Sequence, residues 1–169
     1  MRFPLTAAIM TTAALTLGTA AAQADASTAL TNAGTVEFGP PALVMDVAVD
    51  GRVFLEQPKP GSFRQQWNKE SVGNGLARYR NVATNACLIV PAPAQVDDDL
   101  KVGACNGVGA RNLWSRKSIV AGNGAYMLIS AQSGLVPLPN FFGDPSNVLK
   151  LHTQETASAL GSFAEYLGA

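Results

Sequence analysis

The sequence predicts an all-β fold assembled from three similar units of about 45 residues. Three observations predict it. Strand-sized apolar runs recur at roughly 8–12-residue spacing, separated by Gly, Pro, Asn and Asp turn signals. An apolar strand followed 12 residues later by a large aromatic returns three times. Composition points the same way, since 16 Gly and 10 Pro accompany a charged fraction of only 14%. Helices would instead want periodic runs of Ala, Leu, Glu and Lys.

Residues 1–24 read as a cleaved secretory signal. Arg2 supplies the positive start, Leu5 to Leu17 the apolar stretch, and Ala22-Gln23-Ala24 the small-residue cleavage pattern before Asp25. The stretch is shorter than the roughly 20 apolar residues of a bilayer span. No transmembrane segment is therefore expected, and no cysteine near the cleavage point suggests a lipid anchor. The expected location is secreted, extracellular or periplasmic. Residues 25–34 carry no period and are expected as a loose N-terminal arm, with one domain over 35–169. The two cysteines, Cys87 and Cys105, are expected to form one disulfide in an oxidising compartment.

The strand series begins at Val36–Phe38, before Gly39-Pro40-Pro41. It continues with Leu43–Val49 before Asp50-Gly51, Val53–Leu55, and Leu76–Val82 before Thr84-Asn85. Cys87–Val90 runs into Pro91-Ala92-Pro93, and Leu100–Val102, Tyr126–Ile129, Leu135–Leu138 and Val148–Leu151 complete it. Ala157 to Leu167 has the length of a short helix, although the repeat argues for strand there.

The repeat is read by register. Leu55, Val102 and Leu151 each precede an aromatic, Trp67, Trp114 and Phe163, by 12 residues. Asp46-Val47, Ile89-Val90 and Pro137-Leu138 also fall in register. One such unit cannot bury its own apolar face, whereas three closing on each other can. A β-trefoil follows, with Trp67, Trp114 and Phe163 as core plugs, one per repeat.

At these residues the sequence resembles the ricin-type lectin β-trefoils, whose repeats close on a Q-x-W motif. Gln65-Gln66-Trp67 ends the first unit; the second has Cys87-Leu88-Ile89-Val90, Gly103-Ala104-Cys105-Asn106 and Asn112-Leu113-Trp114. The third is degenerate, with Gly161-Ser162-Phe163 and no cysteines. The resemblance implies an intra-repeat Cys87–Cys105 disulfide and a glycan or cell-surface glycoconjugate as partner. It also implies that each working site needs an Asp acceptor, an aromatic platform and an Asn or Gln. The Asp position holds Asp46, Ile89 and Pro137; the stacking position falls near Glu56, Gly103 and His152; the Asn position falls near Lys59, Asn106 and Glu155. The carbohydrate-binding candidates are thus Asp46, Gln65 and Asn106, and no unit is complete.

Leu76 to Cys87, with its Asn-Val-Ala-Thr stretch, also resembles the A and C subunits of cytolethal distending toxins, the lipobox-free C type more closely. That resemblance implies other toxin subunits as partners and sugar sites that are vestigial.

Other classes find little support. Lys plus Arg equals Asp plus Glu at 12 each, with no basic patch for nucleic acid. The one histidine, His152, lacks a nucleophile motif, so no catalytic residues and no enzyme are expected. Asp97-Asp98-Asp99 lacks the spaced oxygens of a calcium loop and reads as a solvated loop tip, so no metal and no cofactor are expected. A trefoil protease inhibitor presenting the loop Pro91–Asp99 is a third reading, behind a lectin-like module and a toxin subunit.

Overall fold

The computed structural model describes residues 33–38, 43–106, 109–118, 126–139, 146–160 and 164–168. The expected signal over 1–24, most of the 25–34 arm, and Phe163 lie outside the described residues.

Six strands form a closed antiparallel ring: β1 (Ala33–Phe38), β4 (Trp67–Gly73), β5 (Leu76–Asn81), β8 (Trp114–Ser118), β9 (Tyr126–Ser130) and β12 (Ala164–Gly168). β1 pairs β4, β4 pairs β5, β5 pairs β8, β8 pairs β9, β9 pairs β12, and β12 returns to β1. Closure leaves the barrel without an edge strand. The remaining strands pair as hairpins: β2 (Leu43–Val47) with β3 (Val53–Glu56), β6 (Cys87–Ile89) with β7 (Lys101–Gly103), and β10 (Val136–Pro139) with β11 (Leu149–His152). β10 carries Pro137 and Pro139 and has β11 as its one neighbour, the edge setting that proline tolerates.

The hairpins meet beneath the barrel. Val53 N–H donates to Leu100 O at 2.9 Å, and Leu100 N–H to Leu149 O at 2.8 Å. All three side chains are fully buried. Barrel and cap together are the β-trefoil.

The tryptophans join these two layers. Trp67 and Trp114 are buried as the repeat predicts, and each indole N–H is satisfied from the hairpin layer. Trp67 Nε1 donates to Met45 O at 3.2 Å, and Trp114 Nε1 to Leu88 O at 3.0 Å. Met45, Leu88, Leu100, Leu149 and Leu151 pack around them in one cluster. The turn predicted at Thr84-Asn85 and the turn at Ser133-Gly134 share one construction. Asn85 N–H closes on Asn81 O at 2.9 Å and Gly134 N–H on Ser130 O at 2.8 Å, with φ of 54° and 72°. Asn and Gly are the residues that accept this left-handed backbone.

Cys87 and Cys105 are disulfide-bonded. Two boundaries differ from expectation. β1 begins at Ala33, because Ala33 and Gly34 pair with Asn68 and Trp67, so the last two residues assigned to the arm belong to the barrel. Of the helix and the strand weighed over 157–167, the chain forms both: α1 (Gln154–Leu160) starts three residues earlier, and β12 follows as the strand the repeat argues for. Thr153 sets its start, its Oγ1 accepting from Thr156 N–H at 3.2 Å. Among the described residues, no helix is long and apolar enough to cross a membrane.

Replacing Cys87 and Cys105 together by alanine is expected to lower the unfolding free energy by about 3 kcal/mol. Chemical denaturation of the oxidised and substituted proteins measures it, and equal stabilities would refute the disulfide's role.

Candidate functional site

The outer faces of the three hairpins hold the positions named from the sequence, and each is built differently.

In the first, Met45, Val47, Val53 and Leu55 turn into the core, so the alternate residues of β2 and β3 face outward. Asp46 stands directly opposite Phe54, and Val44 opposite Glu56. Asp46 is 5% exposed, and Gln65, from a 3-10 turn over Phe63–Gln65, is 2% exposed. The Gln65 amide donates to Asp46 Oδ2 and to Gln57 O, both at 3.0 Å, while its Oε1 accepts from Lys59 N–H at 2.7 Å. Gln65 thus ties the segment after β3 to the Asp46 carboxylate. Asp46 Oδ1 has no hydrogen-bond partner among the described residues.

Phe54 is half-buried beside that carboxylate. Sequence register placed the stacking position near Glu56, where no ring stands. The aromatic lies two residues earlier, across the ladder from Asp46. Counting back through the Asp50-Gly51 turn would have found it, because a hairpin's register follows from its turn. Ala48 N–H closes that turn on Arg52 O at 2.8 Å. At the rim, Glu56 accepts from Gln57 N–H and lies 3.2 Å from Lys59 Nζ. These two donors, the amide first, hold the Glu56 carboxyl below its usual range.

The second hairpin replaces this chemistry with an apolar contact. Ile89 occupies the Asp position, and a Cβ on Gly103 would stand 2.5 Å from Ile89 Cδ1. Gly103 is therefore small because Ile89 lies over it. Asn112, in the Gln65 position, is too short to reach across and donates to Cys105 O instead. Arg111 Nε donates to Val90 O at 3.0 Å. Asn106 is exposed on the turn after Cys105 and, among the described residues, shares no hydrogen bond with Asp46 or Gln65. The structure brings Asp46 and Gln65 together and leaves Asn106 on a separate hairpin.

The third hairpin is covered. Ala157 of α1 is buried against Met127, Val136 and Leu138, and Gln154 Nε2 donates to Gly134 O at 3.1 Å. His152 Nδ1 lies 3.9 Å from Asp97 Oδ1. Asp97, Asp98 and Asp99 border a cleft of about 330 Å³ with Pro91 and Lys101. Asp99 pairs with Lys150 at 2.9 Å and Asp98 accepts from Gln95 N–H at 2.7 Å. Among the described residues, no group of three His, Cys, Asp or Glu is placed to hold a metal.

No family model matches the sequence, and no curated protein matches it. Solved structures do. An exo-β-1,3-galactanase from Clostridium thermocellum aligns at TM-score 0.69 and 18% identity over 82% of this chain, which spans 30% of that enzyme. A ricin B-like lectin of Macrolepiota procera, solved with lactose, aligns at 0.66 and 13% over 80% of this chain and 94% of its own. The Haemophilus ducreyi cytolethal distending toxin aligns at 0.63 and 12%, over 80% of this chain and 82% of that chain. The chain is a β-trefoil. In fold it is similar to the ricin B-like lectins and to the toxin chain, as its Q-x-W and Cys-Leu-Ile-Val stretches imply.

Gln65→Leu is expected to cost about 3 kcal/mol, because it leaves Lys59 N–H, Gln57 O and the Asp46 carboxylate without their shared partner. Thermal and chemical denaturation read the loss, and a wild-type stability would dismiss the tie.

Proposed function

We propose that the mature chain is a secreted, non-catalytic carbohydrate-binding module of the ricin B-like kind, working through the outer face of the β2–β3 hairpin. One observation carries this reading: Asp46, held at Oδ2 by Gln65, stands directly across from the half-exposed Phe54 ring. A carboxylate accepting from sugar hydroxyls beside a ring that covers the apolar sugar face is the minimal equipment of a shallow glycan site. Gln65 acts here as a positioning residue, since its amide is fully used within the protein. The lactose complex of the M. procera lectin suggests galactosides as the first sugars to try.

Support for secretion comes from the signal-like residues 1–24 and from the disulfide. The non-catalytic reading is supported by chemistry: both cysteines are oxidised, and the single histidine lies beside the Asp97 side chain. The galactanase's activity belongs to a protein more than three times as long as the matched part.

Closure of the other two hairpins favours a second reading, in which the sugar sites are vestigial and the trefoil is a C-like cell-binding subunit of a cytolethal distending-type toxin. Ile89 over Gly103 and α1 over β10 are the observations behind it.

A galactoside-containing glycan array separates the two. Binding at about millimolar strength is expected, weakened tenfold or more by Asp46→Asn and by Phe54→Ala. A folded protein silent on the array would overturn the lectin reading, and stable co-purification with a nuclease-like chain would establish the toxin one.

A further inference from the structure

The second hairpin is more than an erased copy of the first: three aspartates share its Lys101 side, while its Arg111 side presents a cation. Where the first face holds the Asp46 carboxylate, the second holds Ile89 and has two cations around it. Lys101 stands directly across the ladder from Ile89, on the side shared with the Asp97–Asp99 cleft. Arg111 borders a separate cleft of about 80 Å³ together with Ile89, Ala104 and Asn112.

Arg111 is half-buried, and its Nε is committed to Val90 O. Among the described residues it has no carboxylate partner. A guanidinium anchored through Nε keeps both Nη groups for a planar, two-oxygen acceptor, the geometry in which arginine is most selective. One wall is apolar, where Ile89 rests on Gly103, and Asn112 is turned inward to donate to Cys105 O. An anion there would meet a charge-assisted donor in a partly desolvated setting, where such bonds are strong.

Size decides what enters. Pockets for whole small molecules run to about 300–1,000 Å³. This cleft, at about 80 Å³, holds a few waters or one carboxylate group and is too small for a hexose ring. We propose that the Arg111 cleft is an anion site that takes the carboxylate of a ligand whose remaining bulk stays outside, with uronic-acid sugars as the saccharide form. The site is separate from Asp46, and it stands whether or not the first hairpin binds galactosides.

The test is NMR titration of the ¹⁵N-labelled protein with glucuronate, acetate and glucose. Glucuronate and acetate are expected to shift the Arg111 Nε–Hε and Ala104 amide signals, whereas glucose, with the same ring and no carboxylate, leaves them in place. Tighter binding of glucuronate than acetate would identify the saccharide form; equal binding would assign the site to carboxylates generally. Arg111→Gln is expected to weaken glucuronate about tenfold or more. Arg111→Lys, which keeps charge but not the fork, should fall between, and it serves if the Gln variant fails to fold. Asp46→Asn should change nothing here. Equal shifts with glucose, or full affinity in both Arg111 variants, would overturn the proposal.

Discussion

The two indole hydrogen bonds are what the rest of this trefoil depends on. A barrel and a layer of hairpins share one core, and apolar packing alone would let one layer slide over the other. Trp67 and Trp114 prevent this by filling the core and donating to a hairpin carbonyl at once. The acceptors are Met45 O and Leu88 O, immediately before Asp46 and Ile89. A buried indole N–H without its acceptor costs about 1–3 kcal/mol, so each ring fixes the height of its hairpin. The residue that follows the acceptor must then point outward.

This coupling explains how the inside is repeated while the outside diverges. Val53, Leu100 and Leu149 must meet beneath the barrel, and close packing leaves little choice of volume. Outer faces carry no such constraint. One keeps a carboxylate with its amide tie, one carries isoleucine over glycine, and one lies under a capped helical turn. Each state has its own local tie, through Gln65 to Asp46 Oδ2, through Asn112 to Cys105 O, and through Gln154 to Gly134 O. An outer face can change on one hairpin with little disturbance of the core it stands on.

The framework was largely legible in the chain. Turn residues with a physical reason to sit where they do, such as Asn85 and Gly134 at positive φ, punctuated the strands correctly. The tryptophan spacing located both core plugs. The site was legible in part: Asp46 and Gln65 were paired by motif, yet Gln65 proves to be spent inside the protein. Motif spacing points past Phe54, whose place opposite Asp46 follows from hairpin register. The start of α1 at Gln154 is not legible, because it depends on one Thr153 hydroxyl, a weaker signal than the strand pattern on either side. Arg111 is not legible from the chain, since an arginine before a Q-x-W-like motif has meaning only once its cleft exists.

The sequence by itself determined the alternation of strands and turns, the aromatic plugs and the cysteine pair. These are local or periodic properties, carried by residue type and spacing. Tertiary structure alone decided what each hairpin's outer face presents. Asp46 meets Phe54 only through ladder register, Ile89 seals Gly103 only through contact, and Ala157 covers Val136 only when a helix folds back over β10. Such neighbours are distant or ambiguous along the chain, and the closed barrel is what brings them together.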